Sequence, residues 1–325
     1  MIQAAAAAQD VSPQQQVVHW RLHRTLFIAM ALVFLLAPLV VYPVFLMKVM
    51  CFALFACAFN LLIGYGGLLS FGHSMFFGLA AYVSAHAAKV WGFTPELAIL
   101  FATACAAVLG VVAGSLAIRR QGIYFAMITL ALAQMVFFFS LQVPFTGGED
   151  GIQAVPRGRL FGIVDLSNVW AMYAVVFTVF LGGFALIYRV IHSPFGQVLK
   201  AIRENESRAI SLGYDTDRFK LVAFVISAAL SGMAGATKAL IFQLASLTDV
   251  HWTMSGEVVL MTLLGGLGTI FGPVIGAAVI ITMQNYLAQL GAWVTVVQGV
   301  IFVVCVLAFR RGIVGEIGNW LRKPL

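Results

Sequence analysis

The chain has 325 residues, 62% hydrophobic and only 10% charged, with a formal net charge of +7 and a mean hydropathy of +1.00. A soluble domain carries roughly 25% charged residues, so charge here is too scarce to cover a water-facing exterior and a soluble globular fold is excluded. Nor does the positive balance point to nucleic acid: the basic residues sit at the ends of apolar runs, where membrane orientation accounts for them.

In chain order, residues 1–24 read as a polar cytoplasmic tail, an Ala/Gln tract ending in His19, Trp20, Arg21, His23 and Arg24. Apolar runs follow near 26–43, 46–63, 74–88, 97–118, 123–141, 168–190, 219–241, 254–267, 273–290 and 293–309. A hydrocarbon core of roughly 30 Å needs about 20 such residues per crossing. No small-residue cleavage site follows Tyr42, so the first run is read as a retained helix. The runs lack the period-two alternation of membrane strands, which leaves helices to satisfy the backbone. The predicted fold is therefore an all-α, polytopic membrane bundle of about ten transmembrane helices. The third and eighth runs are the weakest, each short and next to a Gly-rich stretch.

With the N-terminus inside, Arg21, Arg24, Arg119, Arg120, Arg189, Lys200, Arg203, Arg208, Arg218, Lys220, Arg310, Arg311, Arg322 and Lys323 fall in the cytoplasm. Lys48, Lys89, Arg157, Arg159 and Lys238 fall outside, 14 against 5. That bias predicts that both termini are cytoplasmic. The basic stretch 191–218 then divides a first membrane half, 25–190, from a second, 219–309, followed by a short tail, 310–325.

Two Gly-rich interruptions stand out. Gly64, Gly66, Gly67, Gly72 and Gly78 lie at the second/third boundary, and Gly265, Gly266, Gly268, Gly272 and Gly276 at the eighth/ninth. Paired interruptions in two halves are a transporter signal. Parity puts both on the same side, whereas an inverted repeat puts them on opposite sides. Around Asn60, Gly64, Gly67, Ser70 and His73, broken helix lining a route and tight helix packing both fit. The four-residue spacing of Gly268, Gly272 and Gly276, and of Gly110 and Gly114, favours packing.

Besides the other Lys and Arg assigned to a side above, the ionisable residues in or beside the runs are His73, His86, Lys238 near an end, and Glu257 at the start of the eighth. The absence of a mid-span carboxylate counts against proton coupling, Glu257 being equally suited to the outer headgroup region. His73 reads first as a hydrogen-bonded residue at a helix end. Asn60, Thr129, Gln134, Ser227, Ser231, Gln284, Asn285 and Gln298 suit interhelical hydrogen bonds, and Gln134 and Asn285 are further candidates for lining a route. Cys51, Cys57, Cys105 and Cys305 form no CxxC pair and are read as core, and no catalytic or metal site is expected.

The outer segment Phe145–Gly151 reads as a turn. On the inner side, Ser193-Pro194-Phe-Gly196 ends the sixth helix, and Gln197 to Leu212 is a helix-compatible run closed by Gly213 as a C′ glycine. It suits a lipid surface or a groove on another protein.

The stretches Asn60 to Ala81, Gln121 to Ala131, Thr146 to Gly151, Ser193 to Gly235 and Gly265 to Ala277, in register, resemble the LivM-type branched-chain amino acid ABC permeases. The resemblance runs from about residue 46 to 309. It implies a subunit of an ATP-driven importer in a bacterial inner membrane, paired with a related permease, two ABC ATPase subunits and a periplasmic substrate-binding protein. No lysine here follows a glycine, so the chain has no Gly-Lys-Ser/Thr phosphate loop; ATP and Mg belong to the partners and no cofactor is expected on this chain. The 191–218 loop then corresponds to the coupling helix, with Arg203, Glu204, Asn205, Glu206, Arg208, Ala209 and Gly213 as its residues. Of the general importer pattern, Glu-Ala-Ala followed by three residues and then a glycine, only Ala209 and Gly213 match. Branched-chain amino acids are the expected cargo, urea or short amides the alternative within the class, and a stand-alone secondary carrier the alternative outside it.

Overall fold

The computed structural model describes residues 13–288, 291, 293–308 and 312–320. Arg310, Arg311, Arg322, Lys323 and the first 12 residues of the tail lie outside them. Helix α1 spans Pro13–Leu36, α2 Pro43–Asn60, α3 His73–Lys89, α4 Pro95–Ala117, α5 Ile123–Gln142 and α6 Val169–His192. Then come α7, Pro194–Glu204; α8, Glu206–Ser211; α9, Thr216–Phe242; α10, Trp252–Gly265; α11, Gly272–Leu287; α12, Trp293–Ala308; and α13, Gly312–Trp320. Every predicted run coincides with a helix. Among the described residues, five helices are long and apolar enough to cross a membrane by themselves: Pro43–Tyr65, Pro95–Ala117, Ile123–Gln142, Val169–His192 and Thr216–Phe242.

The starts of these helices follow from local chemistry. Proline sits in the first turn of α2, α4, α7 and α11, where its missing N–H removes no intrahelical bond. Asn168 and Asp215 accept hydrogen bonds from the Trp170 and Arg218 backbone N–H groups, capping α6 and α9.

Helix α2 is the axis of the bundle, packed by α6, α9, α10 and α11 and buried along nearly its whole length. Toward α3 and α4, α9 carries Ala228, Gly232, Gly235 and Ala236, all buried, while α4 turns Ala98, Ala102, Ala106, Gly110 and Gly114 inward at a spacing of four. Small residues in such a row let backbones approach closely. A Cβ on Gly235 would stand 1.9 Å from Phe77 O, and one on Gly110 2.7 Å from Ala228 Cβ. The opposite face of α4 exposes Leu97, Leu100, Val108, Val111 and Leu116, the pattern of a helix bounded by lipid.

Loop contacts sort the molecule into two ends. At one, the 2/3, 4/5, 6/7 and 8/9 connections meet: Arg203 binds Gly64 O, and Gln121 Nε2 donates to Glu206 Oε2 at 3.0 Å. At the other, strand β1 (Ile152–Gln153) pairs with β4 (Leu244–Ala245), Lys89 Nζ donates to Gln153 O at 2.8 Å, and the Phe161 N–H donates to Glu96 at 3.1 Å. A second pair, β2 (Arg159–Leu160) with β3 (Val164–Asp165), completes that end. Every such contact joins loops that the parity of the spans assigns to one side.

Three details differ from the sequence expectations. Helix α1 begins at Pro13, inside the stretch read as a tail. The inner run is two helices: Asn205 leaves helical geometry and its side chain caps α8 by accepting from the Arg208 N–H at 3.0 Å. Gly268 is a turn residue at φ +76, whereas Gly276 is packed so tightly that a Cβ would meet Met261 O at 1.8 Å.

Candidate functional site

The two Gly-rich interruptions face each other. Helix α2 widens into one π turn, Leu61–Tyr65, and ends at Gly67, φ +70; α10 ends where Gly266 and Gly268 take φ +123 and +76, which glycine adopts without steric cost. Asn60, buried just before the π turn, bridges them. Its Nδ2 donates to Thr269 O at 2.8 Å, and its Oδ1 accepts from the Gly268 N–H at 3.0 Å. Gly64 has no room for a side chain: a Cβ would lie 2.3 Å from Asn60 Oδ1 and 2.8 Å from Gly268 N. So the interruption is broken backbone held in close packing.

Arg203, from α7, reaches this junction. Its Nη1 donates to the carbonyl of buried Gly64, within the π turn. Its stem crosses Gly67, where a Cβ would stand 3.0 Å from Cγ, and its guanidinium lies beside Gly268. Leu199, one turn earlier, covers Gly66, and Lys200 Nζ lies over the Tyr65 ring, 5.4 Å from its centroid. Partial burial there holds the Lys200 ammonium below the usual lysine range, opposed by Glu204.

The rest of the inner loop divides by exposure. Glu206 turns back onto its own chain, accepting from Lys220 Nζ at 2.5 Å, Gln121 Nε2 at 3.0 Å and Thr216 Oγ1 at 3.3 Å. Ala209 and Ile202 are buried, while Glu204, Asn205 and Arg208 are exposed. Gly213, at φ +89, closes α8 in a Schellman motif: its N–H donates to Ile210 O and that of Tyr214 to Ala209 O. The turn throws apolar side chains into the open, with Ile210 56%, Leu212 70% and Tyr214 41% exposed.

His73 is enclosed. Its ring is surrounded by Phe59, Phe76 and Phe224, and its Nε2 lies 2.8 Å from Ser227 Oγ. Ser227 gives its own proton to Ala58 O at 2.6 Å, so Nε2 carries a hydrogen and donates. Ser70, also buried, accepts from the Gly72 N–H at 3.2 Å. The other free N–H groups at the start of α3 go to Thr129 Oγ1 from Phe71, 3.2 Å, and to Ser255 Oγ from Ser74, 2.9 Å. Those bonds hold a helix start inside the bundle. Gln134 is half-buried on α5 and Asn285 exposed on α11, neither joined to this junction.

The outer half holds what the sequence reading missed. A Cβ on Gly78 would meet Val250 Cα at 2.7 Å, and Gly78 lies 11 residues before the outer end of α3, on the order of 15 Å along the axis. The irregular segment after α9 thus re-enters the bundle, which is why α10 has only 14 residues. Re-entry carries Asp249 inside, 1% exposed and paired with Lys238. It also puts Glu257 half a turn beyond Ser255, which bonds the inner start of α3, so Glu257 lies within the bundle and not at the headgroups. Nothing in the spacing of Asp249 marks it as buried; the signal was the shortness of the eighth run.

Comparison with known proteins accords with this geometry. Residues 43–306 match the family model described as branched-chain amino acid transport system, permease component. The chain is 26% identical to the high-affinity branched-chain amino acid transport system permease protein LivM of Escherichia coli, over 81% of this chain and 68% of that one. It is 23% identical to the LivH permease protein of Salmonella typhimurium, over 82% and 91% of the two chains. Against the ribose import permease protein RbsC of Bacillus subtilis it is 30% identical over 55% and 58%. No solved structure matches.

Proposed function

The chain belongs to the branched-chain amino acid transport permease family, a multi-pass inner-membrane permease of an ABC transporter, and on that premise we propose that it moves leucine, isoleucine and valine inward by alternating access. Its membrane partner is a related permease, in keeping with its similarity to both LivM and LivH proteins. Two ABC ATPases drive it, and a periplasmic binding protein delivers the cargo. The end carrying Arg203 is cytoplasmic, as the excess of Lys and Arg there requires, and both termini lie on that side. With no phosphate loop of its own, the chain receives the work of ATP through contact.

The observation that carries this reading is the inner loop. Arg203 anchors α7 to the junction of the two helix breaks, and the next two turns expose Ile210, Leu212 and Tyr214. An anchored loop with an apolar tip is suited to sit in a groove of an ATPase and pass its motion to the bundle. Glu206, Ala209 and Gly213 shape that tip from within; Glu204, Asn205 and Arg208 rim it.

The test is a pull-down from mild detergent comparing wild type with Ile210→Glu/Leu212→Glu. Wild type retains the ATPases and the partner permease, and the variant loses the ATPases alone. Wild type that retains no ATPase makes the stand-alone carrier the reading to pursue.

A further inference from the structure

The loop between α5 and α6 carries a hairpin whose sequence works against its own turn. Strands β2 and β3 pair Arg159 with Asp165 and Leu160 with Val164, and the Ile163 N–H closes the turn by donating to Leu160 O at 3.0 Å. Its two central residues, Phe161 and Gly162, both take positive φ, +49 and +74, a geometry that Asn-Gly or Asp-Gly ordinarily supplies. A phenylalanine is strained there and persists because its surroundings fix it. Its N–H donates to Glu96 Oε1 at 3.1 Å, and a Cβ on Gly158, at the base of the hairpin, would stand 3.2 Å from Pro95 Cδ. Held in this way, the tip leaves Phe161 73%, Ile163 85% and Val164 44% exposed, with no charge between Arg159 and Asp165.

The place of the hairpin decides what covers that tip. Pro95 and Glu96 open α4, which has 23 residues, about 34 Å at 1.5 Å per residue against a hydrocarbon core of roughly 30 Å. The first turn of α4 therefore falls where hydrocarbon gives way to headgroups. One face of α4 packs on α3 and α9, and the other bares Leu97 and Leu100 from that turn onward. Beside it Trp91, Phe93 and Phe101 meet with ring centroids 5.6 to 6.2 Å apart, and Trp91 and Phe93 are exposed, the aromatic enrichment of a membrane–water boundary. The tip continues the lipid-facing side of α4 and does not overlie the axial α2.

From this arrangement we infer that the β2–β3 hairpin is a lipid anchor, with Phe161, Ile163 and Val164 immersed between headgroups and acyl chains of the leaflet at the end opposite Arg203, and Arg159 and Asp165 at the polar level. On the orientation proposed above this is the outer leaflet. The same loop pairs β1 with β4, and its Arg157 Nη2 donates to Ile241 O at 2.8 Å. The anchor thus sets, relative to the bilayer, the level at which α9 ends and the re-entrant segment turns inward. The inference needs only that the chain is embedded in a membrane, and it is independent of the cargo.

The test replaces Ile163 of the full-length chain with photoreactive p-benzoylphenylalanine and illuminates it in whole cells, where its natural partners are present, and again in nanodiscs of phosphatidylethanolamine and phosphatidylglycerol with the subunits that co-purify. Mass spectrometry is expected to find the chain joined to phospholipid in both. A chain joined instead to another permease overturns the inference in favour of a subunit contact, one joined to a soluble protein overturns it in favour of a docking surface, and one joined to nothing leaves the tip in water and overturns it too. Phe161→Asn supplies a second measurement, one of sign. Asparagine suits the turn, so at a tip in water it raises the melting temperature, whereas a tip in lipid loses the burial of the ring and melts lower, by roughly 2 °C in the nanodiscs. A melting temperature unchanged or raised overturns the inference as well. Both side chains are exposed, so neither substitution disturbs the core.

Discussion

Arg203, on the first helix of the loop between α6 and α9, donates a hydrogen bond to the carbonyl of Gly64, 139 residues earlier in the π turn that ends the central helix. A charged donor on a freed main-chain carbonyl ties the loop to the bundle at the point where helical bonding is weakest.

Arg203→Ala should therefore loosen transmission without dissolving the complex. Hydrogen bonds to charged groups are worth about 1.5–3 kcal/mol, so uptake should fall roughly ten- to hundredfold while ATPase subunits still co-purify and ATP hydrolysis persists. Arg203→Lys keeps the charge but not the planar reach across Gly67 to Gly64, and should recover only part of the coupling. Uptake and hydrolysis measured on the same reconstituted sample would decide this; equal losses in both would argue against a transmitting role.

Asn60 should matter to stability as well. Substituting leucine, close in size, leaves the Gly268 N–H and the Thr269 carbonyl without their partner, at about 1–3 kcal/mol each when buried. The melting temperature in detergent should drop by several degrees. Asn60→Asp keeps the acceptor for Gly268 but loses the donor to Thr269 and turns a buried carboxylate on that carbonyl, so a larger drop is expected. Equal melting temperatures for the two variants would contradict the bidentate bridge.

How much of this was legible beforehand follows from what hydropathy encodes. Helix positions follow from apolar length, because that depends on composition along the chain. The Gly213 turn was legible because a Schellman motif demands φ > 0 at a fixed place. The split at Asn205 was not: Gln197–Leu212 is helix-compatible throughout, and the break exists because the Asn205 side chain competes for the Arg208 N–H. Nor was the meeting of Asn60 with Gly268, across more than 200 residues, since contact between distant segments leaves no periodic trace. Glu206 read as a loop charge for a partner, yet Lys220 of α9 and Gln121 of the α4/α5 connection draw it inward.

Glycines should separate cleanly by their surroundings. Gly235→Leu and Gly276→Leu place side chains where a Cβ alone would meet carbonyl oxygens at 1.9 and 1.8 Å. Overpacking of this sort costs about 1–3 kcal/mol and more where backbone must move, and both variants should elute as aggregates in detergent size exclusion. A Cβ on Gly182 of α6 would have nothing within 4 Å of it, and Gly182→Leu should elute like wild type.

The Lys238–Asp249 pair gives the sharpest stability contrast. The carboxylate is 2% exposed and the lysine side chain 15%, so Asp249→Asn leaves a mostly buried ammonium beside the Phe77 ring without the carboxylate it pairs with. Breaking a buried pair from one side costs about 3–5 kcal/mol, and Lys238→Met alone strands the carboxylate similarly. Removing both charges, Lys238→Met with Asp249→Asn, relieves the stranded ion and should restore most of the melting temperature lost by either single change. A double variant no more stable than the singles would mean that the pair's geometry, and not its charge balance, holds the re-entrant segment against Gly78.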